Sequence, residues 1–515
     1  MGDALSKEIK KASKKQKLDL SDRQIEEIPD KIGKCVKLVE LDVSTNSLAD
    51  LPPEVGLLTN LEILNIANNR MNGLFPDIGK LKKLEDLSAH HNRLFFAGIT
   101  PEVGKCASLT RVDFSSNQLD TLPSEFFKLP LKVVDLSQNA FKTMSEEFGK
   151  VSSLQELYLQ DNKIKFVPAE LGQLVNLQVL NLANNEVPGL PNEIESVLQL
   201  RKLDVGFNQL RELPESICRL TNMTELIIRD NPALADLPFD LGAMRKLKVL
   251  SLRNTRVEEL PDDIADLTAL VELDVRDNVQ LAEVTPAVGE LVNLRKLDLY
   301  GCGLASIPMS LGQLSQLESL DLRNNQLTAI MLPQELSALT TLTKLHLGNN
   351  PLESVPVDVI STLTNLEELD LSNCRLERLL EEIGELTNLT KLSLASNRLE
   401  TLPFEIGDLT LLQILDLRSN KLTSIPVEIS KLAAITKLDL SYNSLTELPP
   451  EMSALENLET LDLKNNSLIT PPNPVIRKGT GAVMQYLAQQ LAQRESGGAG
   501  PSGAAGGTAL DAGDF

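Results

Sequence analysis

The sequence predicts an α/β fold: a repeat solenoid of about 20 units, curved like a horseshoe, with a parallel β-sheet on its concave face. Three observations predict it. The phrase L1-x-x-L4-x-L6-x-x-N9-x-L11-x-x-L14-P15 recurs in nineteen full copies, the first beginning at Leu38, the last at Leu458. Positions 4 and 6 are two apart, which places both on one face of a short strand. One such strand cannot bury that face alone, so the copies must stack into a shared core.

The front, residues 1–17, reads as an N-terminal capping helix, because Leu5, Ile9 and Ala12 share one helical face. Gly2 and Ser6 also outline a myristoylation signal, but the charged Asp3 directly after Gly2 argues against lipidation there. Lys7, Lys10, Lys11, Lys14, Lys15 and Lys17 would form the solvated face of this lid and allow weak contact with acidic lipid headgroups. The solenoid then spans 18–472 and opens on a degenerate copy, KLDLSDRQIEEIP (17–29), with Arg23 where Asn is expected. Position 9 is Asn in sixteen copies and Thr255, Cys302 and Cys374 in the others. An Asn there is expected to turn inward and satisfy backbone groups of adjacent units. Insertions lengthen the copies 84–108, 223–246, 270–293 and 317–341, and Phe95 and Phe96 stand out in the first of these. Residues 473–495 read as a C-terminal capping helix with an apolar stripe of Val483, Leu487 and Leu491, and Met484 alongside. The Gly/Ala/Ser-rich 496–515 reads as a disordered tail.

Composition excludes several function classes. A net charge of −22 argues against nucleic acid as the main partner. No apolar run is long enough for a transmembrane segment, and the first 30 residues lack a secretory core. The five cysteines are odd in number and at least 70 residues apart, so reduced thiols and a cytoplasmic location are expected, and the sequons at Asn222, Asn388 and Asn465 carry no meaning. No segment outside the repeats is large enough for a catalytic domain, so no catalytic residue, cofactor or metal is expected, nor any oligomer. His90 and His91 are adjacent on a strand and should face opposite ways. The Gly-Lys pairs lack the upstream glycine of a phosphate-binding loop. Arg111-Val112-Asp113-Phe114 resembles an RVxF phosphatase-docking peptide, but Val112 and Phe114 hold positions 4 and 6 and should be core, as should Ile164 at position 11 of KIKF.

Positions 3, 5 and 7 should face out on the concave side. Position 5 is Asp in eleven copies, and lysines at position 3 (Lys202, Lys296, Lys344, Lys391, Lys437) are expected to offset that stack. Position 7 is Arg229, Arg253, Arg276, Tyr300 and Arg323 in five consecutive copies, with Tyr158, Phe207 and Ile227 nearby and His346 beyond. Two readings stay open. Each Arg neutralises the Asp two residues before it, or residues 200–350 form a protein-binding stripe of the Arg-plus-aromatic kind that interfaces favour. Charge reversal at Arg253 and Arg276 is then expected to weaken partner capture with little change in melting temperature.

The phrases LPxEIGxLxNL, KLDLSDRQIEEIP and IRKGTGAVMQYL (476–487) resemble the intracellular Ras-group leucine-rich repeat proteins, which include a Ras-pathway phosphatase scaffold, the Ras-suppressor protein and plant relatives. The resemblance implies a cytosolic adaptor whose concave face grips a small GTPase or a phosphatase. It transfers framework positions and no individual contacts. The expected function is a non-enzymatic signalling scaffold. The alternatives are a structural adaptor in cytoskeletal or ciliary assembly and a peptide- or ligand-sensing receptor module.

Overall fold

The computed structural model describes residues 2–497, and the chain divides into two compact units, Met1–Gln326 and Leu327–Phe515. The first opens with helix α1 (Gly2–Ala12) and holds fourteen strands, from Lys17–Asp19 to Ser319–Asp321. The second holds six, from Lys344–His346 to Thr460–Asp462. Each strand is three residues long and covers positions 3 to 5 of its copy. Within each unit consecutive strands pair in parallel without slippage, so Leu203, Leu226 and Leu250 lie side by side. Position 4 thereby becomes a buried column up to Leu438, with Leu461 of the last copy half-buried, and positions 1 and 6 pack behind it, joined by position 11 in most copies. Val112, Phe114 and Ile164 are all in that core, which rules them out as docking peptides in the folded chain.

The return half of a typical copy is one turn of 3-10 helix, as at Pro53–Leu57 or Asp262–Asp266, entered from an extended proline. Proline suits that place because its fixed φ is extended-compatible and it offers no N–H to satisfy. The copy 342–365 has one residue more than the common 23 and closes a true α-helical turn, α2 (Val357–Thr362). It is a fifth lengthened copy beyond the four read from the sequence. The insertions at Phe96–Gly98 and Ala329–Met331 form additional 3-10 turns. At Gly98 a Cβ would lie 2.6 Å from the Cα of Gly73, so the first insertion seats only where both residues lack side chains.

The turn after each strand carries the polar constraint. Asn231 is typical: its Oδ1 accepts from the Leu210 N–H at 2.9 Å, and its Nδ2 donates to the Val205, Ile228 and Arg229 carbonyls. One fully buried amide thus satisfies the turn of its own copy and that of the copy before. The three exceptions are compensated. The thiols of Cys302 and Cys374 donate to the preceding copy's Val275 and Leu347 carbonyls at 3.2 and 3.3 Å, and the Thr255 hydroxyl donates within its own turn to Leu252. Each of these copies follows a 24-residue copy. There the N–H that Asn would have accepted closes on its own chain, as Leu234 to Asn231, Leu281 to Asn278 and Leu352 to Asn350. Position 8 takes a left-handed backbone in all nineteen copies, with φ between 50° and 68°. Asn and Asp hold ten of those places, the residues other than glycine that enter this region at least cost.

The ends are covered by helix. Ile9 and Ala12 of α1 are buried against the first copy, and the Cys35 thiol donates to the Ile9 carbonyl. Arg23, the residue that breaks the Asn pattern, binds Glu8 of α1 at 2.6 Å and the Asp19 carbonyl at 2.9 Å. Residues 473–495 form two helices, α3 (Asn473–Ile476) and α4 (Thr480–Gly497), separated at Gly479 with φ +92°. Val483 and Leu487 are buried and Leu491 is not. The tail read as disordered lies outside the described residues from 498 on.

Asn231→Ala should lower stability by about 3 kcal/mol, because at least two buried backbone groups lose their partner at ~1–3 kcal/mol each. A denaturant titration reads this directly. A change below about 1 kcal/mol would mean that the turns do not depend on the amide.

Candidate protein-binding face

The outward positions of the strands sort into three rows, and only one behaves as the sequence suggested. Position 3 forms its own ladder of opposite charges across strands: Lys17–Glu40, Lys202–Glu225 and Lys296–Glu272 at 2.6 Å, and Lys344–Glu368 at 2.9 Å. The expectation that Lys202, Lys296 and Lys344 offset the aspartates is therefore corrected. The nearest neighbour of a side chain is the same position one strand over, ~4.8 Å away, rather than two residues along its own strand.

Position 5 is structural. Its Asp accepts the backbone N–H two residues on, as Asp113 from Ser115, Asp204 from Gly206 and Asp439 from Ser441. The same bond is made in all eleven Asp copies, and Asn65 and Asn181 make it where Asn stands instead. The row is a set of turn caps, which the sequence reading missed. Burial is the larger influence on the Asp204 carboxyl and pushes it above the usual range, against the pull of the Gly206 N–H and Arg229.

Position 7 carries the candidate site. Arg276 Nη2 lies 3.0 Å from Asp274 and its Nη1 3.6 Å from Asp298, while Arg323 grips Asp321 through Nε and Nη2. The neutralising reading holds for these two. Asp274, Asp298 and Asp321 are buried beneath them on three successive strands. Burial, reinforced by Asp321 and Asp274, raises the Asp298 carboxyl, with the Tyr300 N–H and Arg276 opposing. A carboxylate placed at 276 would sit against Asp274 and Asp298. The expected near-neutral effect of reversing Arg253 and Arg276 on melting temperature is therefore withdrawn.

Arg229 and Arg253 differ. Arg253 has no Asp in its own strand and reaches Asp277 of the next copy at 3.4 Å, an ion-pair distance without hydrogen-bond alignment. Arg229 lies over the Phe207 ring with its guanidinium carbon 5.3 Å from the centroid. Gly206 makes this stacking fit, since a Cβ there would come 3.0 Å from Arg229 Cγ. Arg323 covers Tyr300 similarly at 5.6 Å. Arg229, Arg253 and Arg276 each keep a buried Nε that no protein acceptor takes. Arg253, Arg276, Asp277, Asp298, Tyr300, Asp321 and Arg323 line an open depression of about 300 Å³. Ile227 is half-buried on the strand between Phe207 and this depression.

Two sequence candidates lie elsewhere. Tyr158 is on the strand Glu156–Tyr158, hydrogen-bonded to Glu156 at 2.8 Å, and burial with that carboxylate pushes its hydroxyl up to about 12. His346 belongs to the second unit, with Nε2 3.7 Å from Glu368. The histidine pair is also corrected. His90 and His91 touch, Nδ1 to Nδ1 at 2.9 Å, because His91 holds the left-handed position 8 rather than a strand residue. Among the described residues no group of three or more His, Cys, Asp or Glu could hold a metal ion. All five thiols are buried and unpaired, and burial pushes Cys106 to about 11 and Cys218, Cys302 and Cys374 to about 12. The sequon amides of Asn222 and Asn388 donate to the Leu198 and Thr364 carbonyls one copy back.

Comparison with known families agrees with this architecture. The leucine-rich repeat region family matches residues 283–400, and other leucine-rich repeat families match 107–164, 152–192, 199–220, 387–445 and 410–468. A leucine-rich repeat protein of Leptospira interrogans is similar at 30% identity and TM-score 0.61, over 89% of this chain and 98% of its own. The plant peptide hormone receptor RGFR1, solved in complex with RGF2, is similar at 28% identity and TM-score 0.63, over 88% of this chain and 82% of its own. YopM of Yersinia enterocolitica shares the fold at 23% identity and TM-score 0.60, over 91% of each chain. No curated protein matches the chain. The chain belongs to the leucine-rich repeat proteins. No helix among the described residues is long and apolar enough to cross a membrane.

Two outcomes follow from the buried groups. Asp204→Asn keeps an acceptor for the Gly206 N–H and removes a desolvated charge. A raised folded pKa means the ionised form weighs against folding at neutral pH and is relieved as pH falls. The variant should therefore melt at or above the parent at pH 7, with the advantage shrinking towards pH 4. Asp204→Ala should instead lose about 1 kcal/mol. A thiol reagent at pH 8 should label no cysteine of the native chain within minutes and all five in denaturant; rapid native labelling would contradict the burial.

Proposed function

We propose that this chain is a non-enzymatic scaffold that binds another folded protein through the open strand face of its first unit, from Phe207 to Arg323. The observation that carries the reading is Phe207. It is 45% exposed and sits at φ 53°, where a bulky side chain costs roughly 1–2 kcal/mol and where most other copies place small or amide side chains. An exposed aromatic kept in a strained backbone under an arginine makes no contribution to the core. It has the character of an interface anchor. The unsatisfied Nε groups of Arg229, Arg253 and Arg276 in the following copies support the same face.

The finer reading is a cytoplasmic signalling adaptor whose partner is a small GTPase or a phosphatase, supported by the Ras-group resemblance and by five buried thiols that form no disulfide. The rival reading is a peptide-sensing receptor module. It is favoured by the likeness to a plant receptor solved with its peptide hormone. Affinity capture with and without a GTP analogue separates them. Analogue-dependent recovery of GTPases supports the adaptor, and recovery of cytoskeletal or axonemal proteins would point to the structural alternative.

Phe207→Asn combined with Arg229→Ala should weaken capture of the partner by about 30-fold, the ~2 kcal/mol typical of an interface anchor. Phe207→Asn alone should melt about as the parent does or higher, because Asn relieves the left-handed backbone. Unchanged capture by the double variant would remove this face from consideration.

A further inference from the structure

The first unit holds a second feature, apart from the arginine row. Lys14, Lys15, Lys17, Lys37 and Lys83 line an open cleft of about 760 Å³ at the start of the solenoid, together with Gln16, Val39, Asn60 and Glu62. Among the described residues only Lys17 of the five is ion-paired, to Glu40. Lys83 donates to Asn60 Oδ1 at 2.8 Å.

The repeat register makes this cluster unusual. The residue preceding position 1 is Asn in seven copies. Its Nδ2 donates to a carbonyl one copy back, as Asn60 to Val36 and Asn176 to Ser152. Lys14, Lys37 and Lys83 hold that same position in the first, second and fourth copies. The fold is served by Asn there, so the lysines are not needed for packing. Lys14 and Lys37 are like charges in consecutive copies with no carboxylate bridging them, an arrangement that repels unless an anion enters. Charge is also segregated along the chain. Residues 1–110 hold 16 basic and 16 acidic side chains, so the whole net charge of −22 arises after residue 110. Lys7, Lys10 and Lys11 extend the basic surface along the exposed side of α1, whose apolar Ile9 and Ala12 are consumed against the first copy.

We infer that this cleft is a docking site for the phosphorylated headgroup of an anionic membrane lipid, which holds the chain at an acidic membrane surface without insertion. Lysines on flexible stems suit diffuse attraction to clustered phosphates. No aromatic side chain lines the cleft to stack a base, and the acidic remainder of the chain repels a long nucleic acid.

The test is co-sedimentation of the full chain with phosphatidylcholine vesicles that are undoped, doped with phosphatidylserine, or doped with phosphatidylinositol bisphosphate. Binding should be strongest to the bisphosphate vesicles and fall steeply as salt rises from ~0.1 to ~0.5 M. Lys14→Glu/Lys15→Glu/Lys37→Glu should reduce it by about 100-fold, with an unchanged melting curve because all three side chains are exposed. The charge-matched Lys142→Glu/Lys163→Glu/Lys421→Glu should bind as the parent does. Equal binding to doped and undoped vesicles overturns the proposal, as does an undiminished triple variant or an equal loss in the control. Capture of soluble inositol hexakisphosphate without vesicle binding makes the occupant a free polyphosphate and overturns the membrane role. Tighter binding of duplex RNA than of any vesicle overturns it too.

Discussion

The hydrogen bonds of one side-chain amide underlie the whole stack. A three-residue strand contributes few ladder bonds, and the turn that follows it buries more backbone groups than it can satisfy locally. The position-9 Asn accepts one N–H from the copy before and donates to carbonyls on both sides of the junction. Apolar packing drives the copies together but does not dictate how they meet. The amide allows one register only, because a slip would leave its partners unpaired in an apolar surround. The position-5 carboxylate plays the same part on the outward side of the turn, where it closes on its own copy. Core column, inward amide and outward cap together leave positions 3, 7 and 8 as the places where the chain can vary without loss of the fold.

How far the sequence could be read follows from that division. The core was legible because its spacing is periodic and burial follows spacing; Val112 and Phe114 were placed correctly against a tempting motif. The inward Asn was legible because it recurs and its donor and acceptor inventory is known. The Asp row was misread as a charge problem, because a side-chain bond to a backbone two residues away leaves no mark in composition. The position-3 lysines were assigned the wrong partners for a related reason: distance along a strand is visible in sequence, and the shorter distance across strands depends on register. The histidine pair failed on backbone geometry, since adjacency implies opposite faces only inside a strand and His91 lies in the turn after it. At the candidate site, the arginine row was legible but Phe207 became informative only through its φ.

The two exposed features differ in physical kind. The Arg and Tyr row over the buried aspartates is internally compensated, so its contribution to recognition is one of shape and of a few unsatisfied N–H groups. Four of the five lysines of the cleft have no carboxylate partner among the described residues, and unpaired charge of one sign acts at a distance. A chain built this way separates specificity from attraction. On the two proposals, short-range fit would belong to the middle of the first unit and long-range pull to its beginning.

The three 24-residue copies that close their own turn have a different significance. Elsewhere, removing a copy strips an acceptor from the one before it, so the neighbours are mutually obligate. After residues 223–246, 270–293 and 342–365 the preceding N–H is already closed on its own chain, and the following copy needs no Asn. These junctions are seams. Modules can be excised, duplicated or exchanged there with fewer orphaned groups than at other junctions. The substitutions Thr255, Cys302 and Cys374 are then the mark that relaxed constraint leaves in the sequence.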